Sequence, residues 1–260
     1  MKKIELSNKT GKFLLNFNFA MGVLHLLQGV LMLSLASNFV VNITTSYLHP
    51  TLSGIPTTIT ENIFSVSVGP LVALFLFISA FAHFTLCTSG ARNWYLSNLE
   101  KKINYARWVE YALSSSVMIV IIALLSGMFD FPSLILLFSI NAFMNLCGLI
   151  MEKYNQNNAK PDWTAFVVGC FAGIVPWIVI CMYFFGAASR ADNLIPTFVY
   201  FILLSLFVFF NIFAINMYLQ YKKVGPWKDY IFGEKMYIVL SLVAKSLLAW
   251  QVFFGALRRG

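Results

Sequence analysis

The chain has 260 residues, 59% of them apolar and only 11% charged, with a formal net charge of +8. A soluble domain carries about 25% charged residues, so this composition excludes a water-soluble globular enzyme, a disordered chain and a nucleic-acid-binding domain. A membrane crossing takes roughly 20 residues, and seven crossings would absorb most of the apolar content.

In chain order, the apolar runs predict seven spans over 13–37, 67–88, 105–128, 133–151, 164–187, 195–219 and 236–257. The first run is too long for a cleavable signal peptide and lacks a small-residue cleavage site, so it reads as the first transmembrane helix. Between the first two spans, 38–66 is polar, carries Pro50 and Pro56, and alternates Thr with Ile and Val. Its segments Phe39–Thr45 and Thr57–Ile63 have strand-like composition, which predicts a β-hairpin capping one membrane face. The other connections are short. Cys87, Cys147, Cys170 and Cys181 all fall inside apolar runs without metal-ligand spacing, so they read as packing residues and no metal site is expected. The expected fold is an all-α membrane protein. It is a single seven-transmembrane helix bundle over residues 1–260, with a small β-hairpin in the first extracellular loop.

The basic residues sort to one side. The N-terminus carries Lys2, Lys3, Lys9 and Lys12, and the second connection carries Arg92, Lys101, Lys102 and Arg107. The fourth carries Lys153 and Lys160, and the sixth carries Lys222, Lys223, Lys228 and Lys235. Arg190, Arg258 and Arg259 lie opposite. The positive-inside rule then predicts a multi-pass cell-membrane protein with a cytoplasmic N-terminus and an extracellular C-terminus. The positive charge is thus a topological signal that suits anionic lipid headgroups, not a nucleic-acid footprint.

Two charges do not fit hydrocarbon. Lys245 lies about ten residues after the last predicted span begins, roughly 15 Å into a core of about 30 Å. An unpaired lysine there costs about 2.5–3.5 kcal/mol on insertion scales. Neutralisation inside the bundle, a counter-charge or covalent conversion would each offset that cost. Of the ten acids, nine fall in tails, connections or span ends, with Glu152, Asp192 and Glu234 among them; Glu110 alone lies within a span. One buried base and one buried acid on different helices most economically form an ion pair. Two alternatives stay open: Glu110 also reads as a rim residue reaching water, or as the partner of Arg107 three residues earlier.

Other polar residues share that half of the bundle. His25 and Gln28 form an i, i+3 pair on the first span, and His83 on the second follows Ser79 by one turn. Ser241 precedes Lys245 by one turn, Asn141 and Asn145 pair on the fourth span, and Ser114, Ser115 and Ser116 lie on the third. Each alone reads as an interhelical hydrogen bond. Together with Glu110 they read as a wet, protonatable pocket, with too few anionic ligands for a metal.

Seven helices, a mid-membrane lysine on the last and a carboxylate on the third resemble the retinal-binding rhodopsins. The match is closer to the heliorhodopsins and runs along essentially the whole chain. It rests on the cytoplasmic N-terminus and on Arg107-Trp108-Val109-Glu110-Tyr111 followed by Ser114–Ser116. It rests also on His25 with Gln28, His83, Asn141 with Met144, and Ser241 four residues before Lys245. The resemblance implies a light-sensing photoreceptor and not an enzyme. All-trans retinal would be bound covalently to Lys245 as a protonated Schiff base, with Glu110 as counterion. A slow photocycle would signal to a cytoplasmic partner without ion pumping.

A desolvated lysine is a usable amine nucleophile, which suits that attachment. Trp108, Met144, Gly148, Pro176 with Trp177, Phe207 and Phe210 are the expected walls of a polyene slot. The 38–66 connection resembles the family's β-structured loop, which packs at a homodimer interface. The residues agree on pumping: a pump needs proton donors and acceptors on both sides of the lysine, and Glu110 is the only buried carboxylate expected. The competing readings are a light-gated or secondary ion or proton transporter using the Lys245–Glu110 pair, and a retinal-free scaffold locked by Lys245.

Overall fold

The computed structural model describes residues 4–52, 54–190 and 196–258. Lys2, Lys3, Asp192 and Arg259 of the charge pattern lie outside the described residues. Among the described residues, seven helices are long and apolar enough to cross a membrane: α1 (Asn8–Leu35), α2 (Val68–Cys87), α4 (Tyr105–Leu125), α5 (Phe131–Tyr154), α6 (Thr164–Ala188), α7 (Thr197–Lys222) and α8 (Tyr230–Val252). A π-helical turn, Phe253–Leu257, extends α8. Helices suit this role because each satisfies its backbone groups internally, as hydrocarbon demands. The third predicted span is therefore α4 and the seventh is α8.

Polar side chains set where the helices begin. The Ser7 hydroxyl accepts from Thr10 N at the start of α1, and the Asn104 side chain accepts from Arg107 N at the start of α4. The carboxylates of Asp130 and Asp229 do the same for α5 and α8. The Asp229 cap starts the last helix six residues earlier than the apolar pattern predicts. Lys245 consequently sits near the middle of its Tyr230–Leu257 crossing. A short helix, α3 (Arg92–Glu100), occupies the second connection, which the periodicity left as a loop.

The predicted hairpin is present and longer than its two segments. Strand β1 (Val40–His49) pairs antiparallel with β2 (Thr57–Ser67), from Val40 opposite Ser67 to His49 opposite Thr57. An irregularity between Ile43 and Thr44 bends β1 onto the bundle, where Val41 and Ile43 are buried. Thr44 N also donates to Phe129 O in the α4–α5 connection at 2.9 Å. At the same end, Ser37 N donates to Leu257 O at 2.7 Å, tying α1 to α8.

Close approach of α1 and α2 depends on two glycines. A Cβ at Gly22 would lie 2.9 Å from the Phe84 ring, and one at Gly29 would lie 2.6 Å from Phe77. Helix α6 meets α7 through edge-to-face rings instead, Trp177 on Phe207 and Phe210, and Phe184 on Tyr200. The hairpin half of the bundle is an apolar core that includes Met32, Val72, Phe75, Ile119, Ile122 and Val252. Among the described residues the buried charges, Arg107, Glu110, Glu152, Glu234 and Lys245, lie in the middle and on the N-terminal side.

Candidate functional site

Helix α8 carries Lys245 into the bundle opposite Glu110 on α4. The lysine is 3% exposed and the glutamate 8%, so neither charge reaches bulk water. Lys245 Nζ donates to Glu110 Oε1 and to Ser241 Oγ, each at 2.8 Å. The same Glu110 oxygen accepts from Ser79 Oγ at 2.6 Å. The ammonium also stands 5.2 Å from the Tyr111 ring centroid. Ser241 lies one helical turn before Lys245 and so points the same way. Of the two partners the sequence leaves open for Glu110, the structure selects Lys245.

The histidines sit behind this pair. The rings of His25 and His83 stack with centroids 5.6 Å apart and planes 11° from parallel. His83 Nδ1 hydrogen-bonds Asn18 Oδ1 at 2.8 Å, and Asn18 Nδ2 reaches Tyr95 Oη at 3.3 Å. Asn18 and Tyr95 belong to this polar chain although sequence reasoning did not single them out. His25 is fully buried, and neither of its ring nitrogens has a hydrogen-bond partner among the described residues. Gln28 does not join the histidines: its Oε1 accepts from Trp250 Nε1 at 3.1 Å.

A small apolar cavity opens beside Lys245, walled by Tyr111, Met118, Met144, Phe210, Phe213 and Ala244. Asn145 and Ser115 supply its polar edge. Asn141 Nδ2 donates to Ser115 Oγ and Ser116 Oγ at 2.8 and 3.0 Å, and Asn145 Nδ2 donates to Ser115 Oγ at 3.0 Å. A second cavity shares Tyr111, Met144, Asn145, Phe210 and Phe213 with it and continues past Trp108 and Gly148 towards α6. The two make one slot leading away from the amine. Gly148 is required there, because a Cβ would sit 2.3 Å from the Trp108 ring. Met144, Gly148, Trp108 and Phe210 thus line the slot. Trp177 and Phe207 do not; buried Trp177 packs edge-to-face on Phe210, and Phe207 packs on Trp177.

One expectation fails. Glu110 is not the only buried carboxylate, because Glu152 and Glu234 are 2% and 1% exposed. Arg107, assigned by sequence to a connection, is buried between them. Its guanidinium forms ion pairs with Glu152 and with Glu234, and lies 3.9 Å from the Tyr237 ring centroid. Glu152 Oε2 also accepts from Asn104 N and Trp108 Nε1, at 2.9 and 2.8 Å. The physical reason is depth: α5 and α8 each run past their apolar stretch, so acids near the predicted ends face inward at the level of Arg107. Three charged residues near the same end of three helices were the available signal.

A family model described as heliorhodopsin matches residues 14–257, nearly the whole chain. The chain belongs to the heliorhodopsin family. It is a multi-pass membrane rhodopsin of the retinal-binding, light-sensing kind. No curated protein matches the chain in sequence. The residues of this heliorhodopsin fit a retinal chromophore on their own geometry. A buried primary amine closes one end of an apolar slot lined by aromatic and methionine side chains with a few polar groups at its edge, the make-up of a small-molecule site.

Proposed function

We propose that this heliorhodopsin holds all-trans retinal covalently through Lys245, as a protonated Schiff base, with Glu110 as its counterion. The observation carrying this reading is the buried 2.8 Å contact between Lys245 Nζ and Glu110 Oε1 at the end of the apolar slot. The bound chromophore supplies absorption of visible light and isomerisation about a double bond. The protein's residues do the rest. Glu110 holds the positive charge at Nζ, Ser79 and Ser241 orient the pair, and the slot walls exclude water. Met144, Phe210 and Phe213 restrict the polyene, and Trp108 with Gly148 shapes the far end.

A proton released at Nζ passes to Glu110 and stays among Glu110, His83 and His25. Buried Glu152 and Glu234 do not change this reading, because Arg107 engages both and they lie on the same side of Lys245 as Glu110. The hairpin half offers an apolar core instead of an exit path. The output is a slow photocycle and a shape change read by a partner on the N-terminal face, which the charge bias makes cytoplasmic. The hairpin exposes Leu48, Leu52, Ile55 and Ile63, an apolar surface that suits a second copy in a homodimer.

Borohydride reduction of the retinal-loaded protein, followed by digestion and mass spectrometry, is expected to place a retinyl adduct on the peptide containing Lys245. Unmodified Lys245, or an adduct elsewhere, overturns the assignment. Illuminated cell suspensions are expected to show no light-driven pH change; a sustained change abolished by protonophore would favour the transporter reading.

A further inference from the structure

A cavity of about 200 Å³, separate from the retinal slot, opens on the N-terminal side. It lies between the α3–α4 turn, the C-terminal end of α5, and the connection from α7 to α8. Lys102, Lys223 and Lys228 stand at its mouth, Trp227 and Tyr221 form walls, and Glu152 lies at its base.

Its charge is unbalanced. The ion pairs among the described residues are those of Arg107 and Lys245, so none of the three lysines has a carboxylate partner. Glu152 offers them nothing, because both its oxygens are engaged by Arg107, Asn104 N and Trp108 Nε1. Burial and then the Lys223 ammonium hold the Lys102 amine below its ordinary value, as expected for cations crowded without an anion.

Two further observations point to a ligand. Lys102 and Lys223 both adopt left-handed backbone, with φ of 60° and 54°, at positions that close α3 and α7. Glycine is the comfortable residue there, so what lysine adds at each is its charge at the cavity mouth. Gln220 lines the same cavity and is 8% exposed. Its Nε2 donates to Tyr230 O at 3.1 Å, while its Oε1 is buried with no donor among the described residues. The walls are already set: Asp162 N donates to Asn155 Oδ1 at 2.6 Å and Asn155 Nδ2 to Asp162 O at 2.8 Å, which ties down the loop after α5.

We propose that this cavity binds a small phosphomonoester that also carries a hydrogen-bond donor, with the phosphate on Lys102, Lys223 and Lys228 and the donor on Gln220 Oε1. The phosphomonoester is either a dissolved metabolite or the headgroup of a lysophosphatidic acid, whose free glycerol hydroxyl is the donor. This inference stands apart from the retinal reading and needs no chromophore.

The test is calorimetric titration of the full chain in phosphatidylcholine nanodiscs with adenosine monophosphate. Saturable binding is expected, weakened at least about tenfold in Lys102→Gly/Lys223→Gly/Lys228→Gln, since each lost charge-assisted bond is a large share of such an affinity. Glycine suits the left-handed backbone, and an unchanged melting temperature shows that the variant is folded. Lys153→Gln/Lys160→Gln removes two exposed charges outside the cavity and is expected to leave binding intact. Repeating the titration in nanodiscs containing lysophosphatidic acid identifies the source: loss of nucleotide binding assigns the lipid headgroup, and retention assigns the dissolved ligand. Absence of saturable binding in the phosphatidylcholine discs, an unchanged affinity in the triple variant, or equal loss in the control variant overturns the proposal.

Discussion

Lys245→Ala is expected to take up no visible colour from all-trans retinal, whereas Glu110→Gln is expected to colour with a band at longer wavelength. The first result follows from the loss of the only amine at the end of the slot. The second follows from charge. Glu110 Oε1 lies 2.8 Å from Lys245 Nζ and holds positive charge at that end of the site. At about 4 Å and an effective dielectric near 20, such a pair is worth about 4 kcal/mol. The glutamine keeps the shape and one acceptor but not the charge, so positive charge spreads further along the polyene and the excitation energy falls. The visible band should also be lost at a pH roughly 1–3 units lower than in the parent protein, because the protonated linkage has lost its nearby anion. A Glu110→Gln protein with parental colour and parental pH titration removes Glu110 from the counterion role. Colour retained in Lys245→Ala removes the attachment itself.

Arg107→Gln is expected to cause the largest loss of stability of any single substitution on the N-terminal side. The guanidinium pairs with both Glu152 and Glu234, each almost fully buried. Removing it leaves two carboxylates facing each other without a cation. Breaking a buried ion pair from one side costs about 3–5 kcal/mol, mostly from the charge left behind. For a chain of this size that corresponds to a fall in melting temperature on the order of 10 °C. The companion experiment is Glu152→Gln/Glu234→Gln in the Arg107→Gln background, which leaves no net charge and is expected to recover most of the loss. Melting of the retinal-free protein separates this effect from any change in chromophore binding. Equal melting temperatures for Arg107→Gln and the parent would show that the two carboxylates reach water.

The seven spans and the hairpin were legible because hydrocarbon imposes a simple rule on sequence, about 20 apolar residues per crossing with polar connections between. Helix ends were less so, since caps such as Asp229 and the buried acids beyond the apolar stretch obey local hydrogen bonding instead of hydropathy. Short helix α3 is too polar and too brief for periodicity to reveal. In the site, Lys245 and Glu110 were legible because a charge in the membrane is rare enough to stand out alone. Asn18 and Tyr95 were not, since a single asparagine or tyrosine near a helix end is commonplace until a partner 77 residues away is known.

Composition and linear order by themselves determined that the chain crosses the membrane seven times, that its basic residues favour one side, and that one lysine near mid-depth and one glutamate lie within the spans. The tertiary structure alone decided which charge meets which. Arg107 and Glu110 are one turn apart on α4, yet the first turns to Glu152 and Glu234 and the second to Lys245. Pairing in a bundle depends on which helix faces which and at what height. Those are properties of packing, and no single helix encodes them.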